Sequence, residues 1–389
     1  MGGRKGEANH TELRHTVSVK RLVSLDALRG LNMFWIIGAE RIADAFSQLR
    51  FPGAHFISMQ LNHAKWNGFT FYDLIYPMFI YVVGVSIVFA ISNRRERGDA
   101  PLKTLQQIFT RTVLLFLVGL YMSNSGLDLH GWLTNLRWMG VLQRIAICYF
   151  GAAILVLFVR PQYQAIIAVT ILLGYWLLLK FVPVPGFGAG VWDIPEASFA
   201  NYIDKLFLPG RRYYRTWDPE GLLSTFPALV TCLFGVFTGF WLRNETDFKK
   251  RTITREKKVA WLGIVGLVLL GLGILWGFDF PINKKIWTSS FVLVTGGLSA
   301  IVMALFYWII DIKGYKRWAF PFVVIGLNSI FIYVANSFLP MNVISRWIIG
   351  NELLNWFGAA RSLSIAILTF GMEWLLLYVM YERKLFIRL

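Results

Sequence analysis

A histidine, a tryptophan and two asparagines stand directly before a long apolar segment, in the stretch Asn62-His63-Ala64-Lys65-Trp66-Asn67-Gly68. Polar groups at the start of a membrane-spanning segment have to be hydrated, paired or functional, because unpaired polar groups in hydrocarbon are costly. An imidazole can serve as a base, a nucleophile or a ligand near neutral pH. A loop histidine taken alone is more often a hydrogen-bonded structural group, but the neighbours of His63 favour catalysis, since Asn62 and Asn67 could donate to a developing oxyanion.

Two carboxylates are placed where they could act with this histidine. Glu40 lies about two-thirds of the way along the first apolar segment, a depth at which a carboxylate is a functional candidate by default. An ion pair with Arg41 is the structural alternative, although adjacent residues of a helix point in different directions. We therefore predict a carboxylate–imidazole hydrogen bond between Glu40 and His63. Asp73 begins the next segment, where we favour a helix-capping carboxylate and keep a substrate contact as the alternative.

The composition of the chain indicates the scaffold that holds these groups. Of its 389 residues, 56% are hydrophobic and 16% are charged, and the mean hydropathy is +0.54. A soluble protein of this length would need more charge on its surface. The apolar runs have the length that crosses about 30 Å of hydrocarbon. The sequence predicts an all-α polytopic membrane protein with about ten transmembrane helices, at 28–46, 71–91, 105–122, 138–159, 165–182, 222–242, 259–278, 288–310, 320–338 and 363–381.

The net charge of +17 comes from basic residues that cluster in alternate connections. They gather in 4–21, 94–103, 243–258, 313–317 and 383–388, which fall on one side of a ten-span protein. Cytoplasmic loops collect lysine and arginine, so both termini are predicted to be cytoplasmic and His63 to lie on the outer side. The same pattern argues against nucleic acid as a partner. The segment to residue 21 has no apolar core, so the first span is expected to be an uncleaved anchor.

The predicted organisation is a basic cytoplasmic tail, 1–25, followed by one transmembrane domain, 26–389. Long outer loops are expected near 48–70 and 183–221, and loops of this length are usually functional. Aromatic rings beside charged groups suit a sugar, so we predict that the substrate is bound by Trp66, Asp73, Trp217, Asp218 and Glu220. The alternative is an aromatic belt that rests on lipid headgroups. Cys148 and Cys232 lie inside apolar spans, so neither a disulfide nor a metal site is expected.

Several short motifs, in this order along the chain, resemble the heparan-α-glucosaminide N-acetyltransferase family and its bacterial relatives. They are Ser24-Leu25-Asp26-Ala27-Leu28-Arg29-Gly30, His63-Ala64-Lys65-Trp66-Asn67-Gly68 with Asp73-Leu74 and Pro77, Gly140-Val141-Leu142-Gln143-Arg144, Asp218-Pro219-Glu220-Gly221-Leu222-Leu223, Asn283-Lys284-Lys285-Ile286-Trp287 and Gly326-Leu327-Asn328-Ser329-Ile330. Each motif is weak alone, but the set is specific. The resemblance implies a transmembrane transferase that moves acetyl from cytoplasmic acetyl-CoA to the amino group of an external hexosamine.

The resemblance also assigns positions. The family's active-site histidine corresponds to His63, whereas the lysosomal member has asparagine near Glu40 and an extra lumenal region that this chain lacks. The missing lumenal region favours a multi-pass protein of the bacterial inner membrane that acts on small sugars or cell-wall fragments. The carboxylate at Glu40 is consistent with a residue that orients the histidine and leaves the exact mechanism open. A homodimer is one assembly that we consider. The alternative function is an amino-sugar transporter, because intramembrane charges also suit a solute path.

A cytoplasmic donor and an external histidine together require a route for the acyl group through the membrane. An extended pantetheine arm covers about half of the hydrocarbon thickness, so we predict a polar cavity among the spans that opens to the cytoplasm. Guanidinium groups pair bidentately with phosphate. The predicted donor-binding residues are Arg144, Arg111, Arg29, Gln143 and Asn328. The alternative is that the arginines cross-link helices.

Overall fold

Helices make up most of the described chain. The computed structural model describes residues 22–49, 52–124, 135–246, 252–339, 341–350 and 360–387. Within these ranges it contains helices and connecting segments without a β-sheet, which confirms the all-α prediction. The helices, numbered α1 to α14, are Val23–Ser47, Ala54–Gln60, Phe71–Glu96, Pro101–Ser123, Val141–Phe158, Pro161–Phe181, Phe199–Phe207, Thr225–Arg243, Arg255–Trp276, Ser289–Phe306, Phe320–Leu327, Ser329–Phe338, Met341–Ile349 and Arg361–Glu382. A π-helical segment, Tyr307–Ile312, continues α10.

The polytopic prediction is also confirmed. In the described ranges eight helices are long and apolar enough to cross a membrane, namely α3, α4, α5, α6, α8, α9, α10 with its π-helical continuation, and α14. Each corresponds to one predicted span. The predicted ninth span is the pair α11 and α12, which is bent by 74° at Asn328. The predicted first span is α1, which has 25 residues but is less apolar because it carries several ionisable side chains.

Two further predictions remain as predictions. The cytoplasmic location of both termini is predicted from the distribution of basic residues alone. Residues 1–21 of the basic tail lie outside the described residues. The division into a tail and one transmembrane domain has the same status. The two predicted long connections contain short helices of their own: α2 lies in the first and α7 in the second.

The centre of the bundle is formed by α3, α8 and α10, and glycines allow α3 and α8 to approach closely. A Cβ atom added at Gly84 would lie 2.0 Å from the carbonyl oxygen of Cys232, and one at Gly235 would lie 1.9 Å from that of Tyr81. Only glycine permits such a backbone approach. Buried aliphatic and aromatic side chains fill the remaining space. The outer helices α4, α6, α9 and α14 expose most of their apolar side chains, as expected of helices that contact lipid.

The first helix runs antiparallel to α3 and relates the two ends of the bundle. Trp35 contacts Phe71, at the start of α3, with ring centroids 5.2 Å apart. Arg29 lies about one and a half turns earlier on α1, and Ser86 lies about four turns along α3. The Arg29 guanidinium donates to the hydroxyl of Ser86 at 2.7 Å. We call the end at which α3 begins the His63 end, because His63 lies in the loop that precedes it.

Candidate active site

The loop that carries His63 is held by contacts to two other connections. Gly68 adopts a φ of +121°, which favours glycine, and its N–H donates to the carbonyl of Ile282 at 2.9 Å. The indole N–H of Trp66 donates to the carbonyl of Trp192 at 2.6 Å. The loop is therefore fixed between the 183–221 connection and the segment that joins α9 to α10.

A capping box ends this loop and starts α3. Thr70 is the N-cap residue, and its hydroxyl donates to the Asp73 carboxylate at 3.0 Å. The same carboxylate oxygen accepts the backbone N–H groups of Thr70 at 3.1 Å and of Ala64 at 3.2 Å. This confirms the predicted capping role of Asp73 and ties the carboxylate to both ends of the loop. The side chain of Asp73 is 1% exposed.

The second oxygen of Asp73 contacts His63. The distance from Asp73 Oδ1 to His63 Nδ1 is 2.8 Å, and the imidazole ring stacks on Tyr72 at a centroid distance of 4.5 Å. A carboxylate only accepts, so Nδ1 carries the hydrogen and Nε2 keeps its lone pair in the neutral ring. The imidazole is thus fixed in position and tautomer, while its side chain remains 44% exposed.

The prediction that Glu40 forms the hydrogen bond to His63 is wrong, because a different carboxylate makes this contact. Glu40 is exposed on α1, and Asp73 makes the bond to the imidazole. The physical reason is proximity along the chain: the first turn of α3 follows the loop directly, so the capping carboxylate already lies beside the ring.

The two asparagines predicted to donate to an oxyanion hold the loops instead. The Asn62 amide donates to the carbonyl of Ser58 at 2.8 Å. The Asn67 amide donates to Asp193 Oδ1 at 3.0 Å, and its oxygen accepts from Asn283 at 3.0 Å. Neither amide N–H₂ is therefore directed at a reacting group next to His63.

Lys284 completes the cluster and was not singled out from the sequence. Its Nζ atom lies 3.0 Å from His63 Nδ1, 3.1 Å from Nε2 and 3.6 Å from Asp73 Oδ1. It belongs to the connection between α9 and α10, which brings it to the histidine from 221 residues away. Burial of the ammonium group lowers the pKa of Lys284 to about 8. The only sequence indication was its place in the Asn283-Lys284-Lys285-Ile286-Trp287 motif.

A second charged cluster lies at the same end. Arg137 donates to both carboxylate oxygens of Asp218 at 2.7 Å and to Glu220 at 2.6 Å. Asp218 also accepts the backbone N–H groups of Tyr213 and Glu220, each at 3.0 Å. The structure brings together the predicted Asp218 and Glu220, but around an arginine that the sequence analysis missed. Asp218 is fully engaged by Arg137 and by the backbone of its own loop, which leaves Glu220 as the freer carboxylate.

The predicted aromatic residues pack against each other beside this cluster. Trp217 is 4% exposed and stacks on Tyr214 at a centroid distance of 4.4 Å. Trp66 meets the edge of Trp217 at 5.4 Å. The two predicted tryptophans therefore lie side by side and join the loop of His63 to the loop of Asp218.

A cavity of 200 Å³ opens next to Arg137. Its lining combines apolar and polar residues of α4, α5 and α12 with Arg137 from the segment before α5. These residues are Gly119, Met122, Ser123, Arg137, Val141, Leu142, Gln143, Tyr333 and Ser337. Gln143 is fully buried, and its Oε1 atom has no hydrogen-bond partner among the described residues. A small concave site with a few converging polar groups is typical of a small-ligand pocket.

The prediction that Arg144 and Gln143 lie at the end of the spans opposite His63 is wrong. Helix α5 runs in the same direction as α3, since the Tyr76 hydroxyl donates to the carbonyl of Val141 at 3.2 Å. Arg144, one turn into α5, therefore lies at the His63 end. Its guanidinium is fully buried, donates to the Ser224 hydroxyl at 2.5 Å and stacks over Trp287 at 5.1 Å.

The other three predicted donor-binding residues do not converge either. Arg111 lies midway along α4, exposed, with its guanidinium 4.9 Å from the Tyr149 ring centroid. Arg29 contacts Ser86 and Asp26 toward the opposite end of the bundle. Asn328, at the break between α11 and α12, exchanges hydrogen bonds with the backbone of Leu385 and Ile387 at 3.0 and 2.9 Å.

The site thus defined is a carboxylate-held imidazole with an adjacent lysine at one end of a helical membrane bundle. An imidazole held in this way is able to act as a base or as a nucleophile. Both cysteines, Cys148 and Cys232, are buried and free. Within the described ranges, no three histidine, cysteine, aspartate or glutamate side chains are grouped closely enough to hold a metal ion.

Comparison with known proteins identifies the family. A family model described as "Heparan-alpha-glucosaminide N-acetyltransferase, catalytic" matches residues 21–271, and the chain belongs to this family. A relative from Mus musculus, heparan-alpha-glucosaminide N-acetyltransferase, is 28% identical over 95% of this chain and 60% of its own length. The Homo sapiens protein of the same name is 26% identical over 98% of this chain and 62% of its own length. The chain therefore spans about three fifths of these relatives.

Proposed function

We propose that the protein is a membrane N-acetyltransferase that moves an acetyl group from acetyl-CoA to the amino group of a hexosamine. The observation that carries this proposal is the hydrogen bond of 2.8 Å between Asp73 and a His63 ring that remains 44% exposed. The names of the relatives support N-acetylation of a glucosaminide. The distribution of basic residues supports a site on the outer side of the membrane, and we assign the protein to a bacterial inner membrane.

In this reaction Asp73 keeps the hydrogen on Nδ1 and leaves the lone pair of Nε2 for chemistry. An amine that attacks a thioester must lose a proton, and an imidazole is suited to accept one near neutral pH. The same lone pair can instead attack the thioester and carry the acetyl group to the amine. Both routes use Nε2 and both depend on the Asp73 contact.

The acceptor is assigned to the region between His63 and Arg137. The cavity beside Arg137 suits a ligand of the size of one sugar ring more than a long polysaccharide. Arg137 and Glu220 offer charged partners for hydroxyl and amino groups. Trp66, which is less buried than Trp217, gives the aromatic surface that apolar sugar faces prefer. Gln143, with its unpartnered buried oxygen, would accept a hydrogen bond from the sugar.

The donor is assigned to the face of α1 that turns toward α3. Arg29, near the opposite end, is the best-placed predicted group for a phosphate of the donor. Between Arg29 and the His63 end lies Asn32, which is fully buried and has no hydrogen-bond partner for either amide atom among the described residues. An orphaned amide of this kind fits the amide groups of a pantetheine arm. Asn32→Leu should raise the KM for acetyl-CoA and leave the KM for the sugar unchanged.

The test is acetyl transfer by the purified protein in detergent. Acetyl-CoA and glucosamine are supplied, N-acetylglucosamine and free thiol are both quantified, and mannitol replaces glucosamine in the blank. Equal amounts of the two products support the proposal. Thiol release that does not depend on the sugar, or an absence of both products for a panel of amino sugars, contradicts it.

The bent helix pair α11 and α12 favours a second candidate function, transport of an amino sugar. Discontinuous helices line the substrate sites of many transporters, and the buried Glu373 lies near them on α14, where Arg41 donates to it at 2.9 Å. Uptake of labelled glucosamine into proteoliposomes without acetyl-CoA would favour transport. Acetylated product formed with no such uptake would favour the transferase.

A further inference from the structure

We propose that Lys284 is a catalytic residue of the acetyl transfer, acting as the general acid that protonates the thiolate leaving group. The inference rests on the proposed function, because it assigns a step of that reaction. It concerns a residue that lies outside the part of the chain matched by the family model, which ends at residue 271.

The position of Lys284 is set by the connection between α9 and α10, independently of the histidine. The side chain of Asn283 accepts the backbone N–H groups of Lys285 at 2.8 Å and of Ile286 at 3.2 Å. The Asn283 N–H donates to the hydroxyl of Thr288 at 3.0 Å. These bonds fold the connection into a tight turn, and the Lys284 side chain extends from it to the imidazole with only 17% of its surface exposed.

The ammonium group lies where the proton of the reaction has to pass. Its Nζ atom is 3.0 Å from Nδ1 and 3.1 Å from Nε2 of His63. Only Nε2 can accept from the ammonium, because Nδ1 already carries the hydrogen that it donates to Asp73. An ammonium has three N–H donors and no acceptor, so one N–H can face Asp73 while another faces an incoming donor. A thioester that is close enough for chemistry at Nε2 is therefore also close to Nζ.

The charges around Lys284 allow it to give up a proton. The groups that face it are His63 in the preceding loop, Asp73 on α3, Glu220 in the second long connection and the neighbouring Lys285; the ring of Tyr72 lies 5.7 Å away. Burial lowers the pKa of the ammonium to about 8, and the two carboxylates oppose the change. An acid of this strength is close to a thiol, whose ordinary pKa is about 8.5, so proton transfer between them is nearly balanced.

The step conserves atoms and charge. The amine nitrogen attacks the carbonyl carbon of the thioester, the N–C bond forms and the C–S bond breaks. The sulfur leaves with the bonding electron pair and takes a proton from Lys284, giving the free thiol and a neutral lysine amine. The proton that the attacking amine loses goes to His63 Nε2 and from there to Lys284, which restores the starting charges. If acetyl is carried on Nε2, the same lysine serves the first half-reaction.

Three variants and two donors test this assignment. Lys284→Met removes the acid, and Lys284→Arg keeps the positive charge but does not release a proton at accessible pH. Lys285→Arg is the matched control, since Lys285 contacts the carbonyl of Lys65 and the ring of Tyr214 rather than the histidine. Acetyl-CoA is compared with an S-aryl thioacetate, whose thiol is a stronger acid and needs no protonation to leave.

With acetyl-CoA, both Lys284 variants should lose about 10²-fold or more in kcat, while Lys285→Arg should stay within twofold of the wild type. With the aryl donor the same loss should shrink to a few-fold. In the wild type the rate should fall as the pH rises above about 8, because the acid form of Lys284 is lost; this alkaline limb should be absent from Lys284→Arg.

The proposal is overturned if Lys284→Arg keeps the full rate, which would leave the lysine with only an electrostatic role. It is also overturned if the loss is equal for both donors, because leaving-group protonation then plays no part. A wild-type protein without acetyl transfer to any amino sugar would instead refute the proposed function. Thermal unfolding of each variant in detergent separates misfolding from a chemical defect. If Lys284→Met does not fold, the comparison of the two donors is made with Lys284→Arg alone.

Discussion

Replacing Asp73 by asparagine tests how the structure prepares His63. The change is nearly isosteric, and the amide oxygen can stay with the three donors supplied by Ala64 and Thr70. The amide N–H₂ then faces His63 Nδ1. Because this group donates, Nδ1 has to become the acceptor and the ring hydrogen moves to Nε2. The nitrogen that should accept a proton from the substrate would then already carry one.

The size of the effect follows from the burial of the carboxylate. Asp73 is 1% exposed, so water cannot replace it beside the ring. In a buried carboxylate–histidine pair the same exchange costs about 10⁴-fold in kcat. We expect a loss of about 10³- to 10⁴-fold here, or roughly 4–5.5 kcal/mol of transition-state stabilisation. The thermal midpoint should change little, since the capping contacts are kept.

The assay is acetyl transfer to glucosamine at saturating acetyl-CoA, measured for the wild type, Asp73→Asn and a control, Asp279→Asn. Asp279 is 46% exposed and pairs with Lys180 and Trp176 away from the histidine. The control should retain its activity within about twofold. If Asp73→Asn keeps more than a third of the wild-type kcat, the carboxylate only caps α3 and the reasoning about the tautomer is refuted.

Three further outcomes follow from two ion pairs and one buried carboxyl group. Arg137→Lys loses the bidentate contact with Asp218 beside the proposed acceptor pocket. The KM for the sugar should therefore rise about tenfold, which corresponds to roughly 1.4 kcal/mol, and kcat should be less affected. An unchanged KM in steady-state assays argues against that pocket. Arg41→Met leaves the buried carboxylate of Glu373 unpaired, which costs about 3–5 kcal/mol of stability. The thermal midpoint of this variant should therefore fall, and the double variant with Glu373→Gln should recover most of the loss. Equal midpoints for the wild type and Arg41→Met contradict this. Burial raises the pKa of Asp204 from 3.8 to about 6, so the protonated form of this carboxyl favours the folded state. Stability worth about 3 kcal/mol should therefore be lost as the pH rises through 6. In Asp204→Asn the thermal midpoint should depend less on pH between pH 4 and 7, and an unaltered pH profile counts against the assignment.

The fold class and the histidine were accessible from the sequence because each has a local cause. Apolar runs of span length identify membrane helices whatever their partners are, and eight of the predicted spans coincide with long apolar helices. His63 stood out because it lies between a polar loop and a span. The capping role of Asp73 was visible for the same reason, since a capping box is formed by residues three apart.

The contacts that complete the site depend on packing, which the sequence did not reveal. Lys284 reaches His63 from the connection between α9 and α10, and Arg137 meets Asp218 across 81 residues. Neither residue lies in a pattern that specifies its partner. Glu40 was expected beside the histidine because of its depth in α1, but depth alone does not fix the direction in which a side chain points.

The predicted donor site shows a different cause of error. Arg144 was assigned to the cytoplasmic end although the alternation of spans makes α5 start at the His63 end, one turn before Arg144. Buried arginine was treated as a phosphate ligand because of its chemistry, whereas the structure pairs it with Ser224 and Trp287. Residue type alone therefore did not locate a binding site among several helices.

Acetyl transfer by a His63→Ala variant is the most direct test of the proposed site. The wild type, His63→Ala and His55→Ala are purified in parallel and assayed with acetyl-CoA and glucosamine. His55 is the matched control, because it is an exposed histidine on α2 in the same connection. We predict that His55→Ala keeps its activity and that His63→Ala loses at least 10³-fold in kcat while retaining its thermal midpoint. Wild-type activity in His63→Ala would contradict the assignment of the reaction to this site.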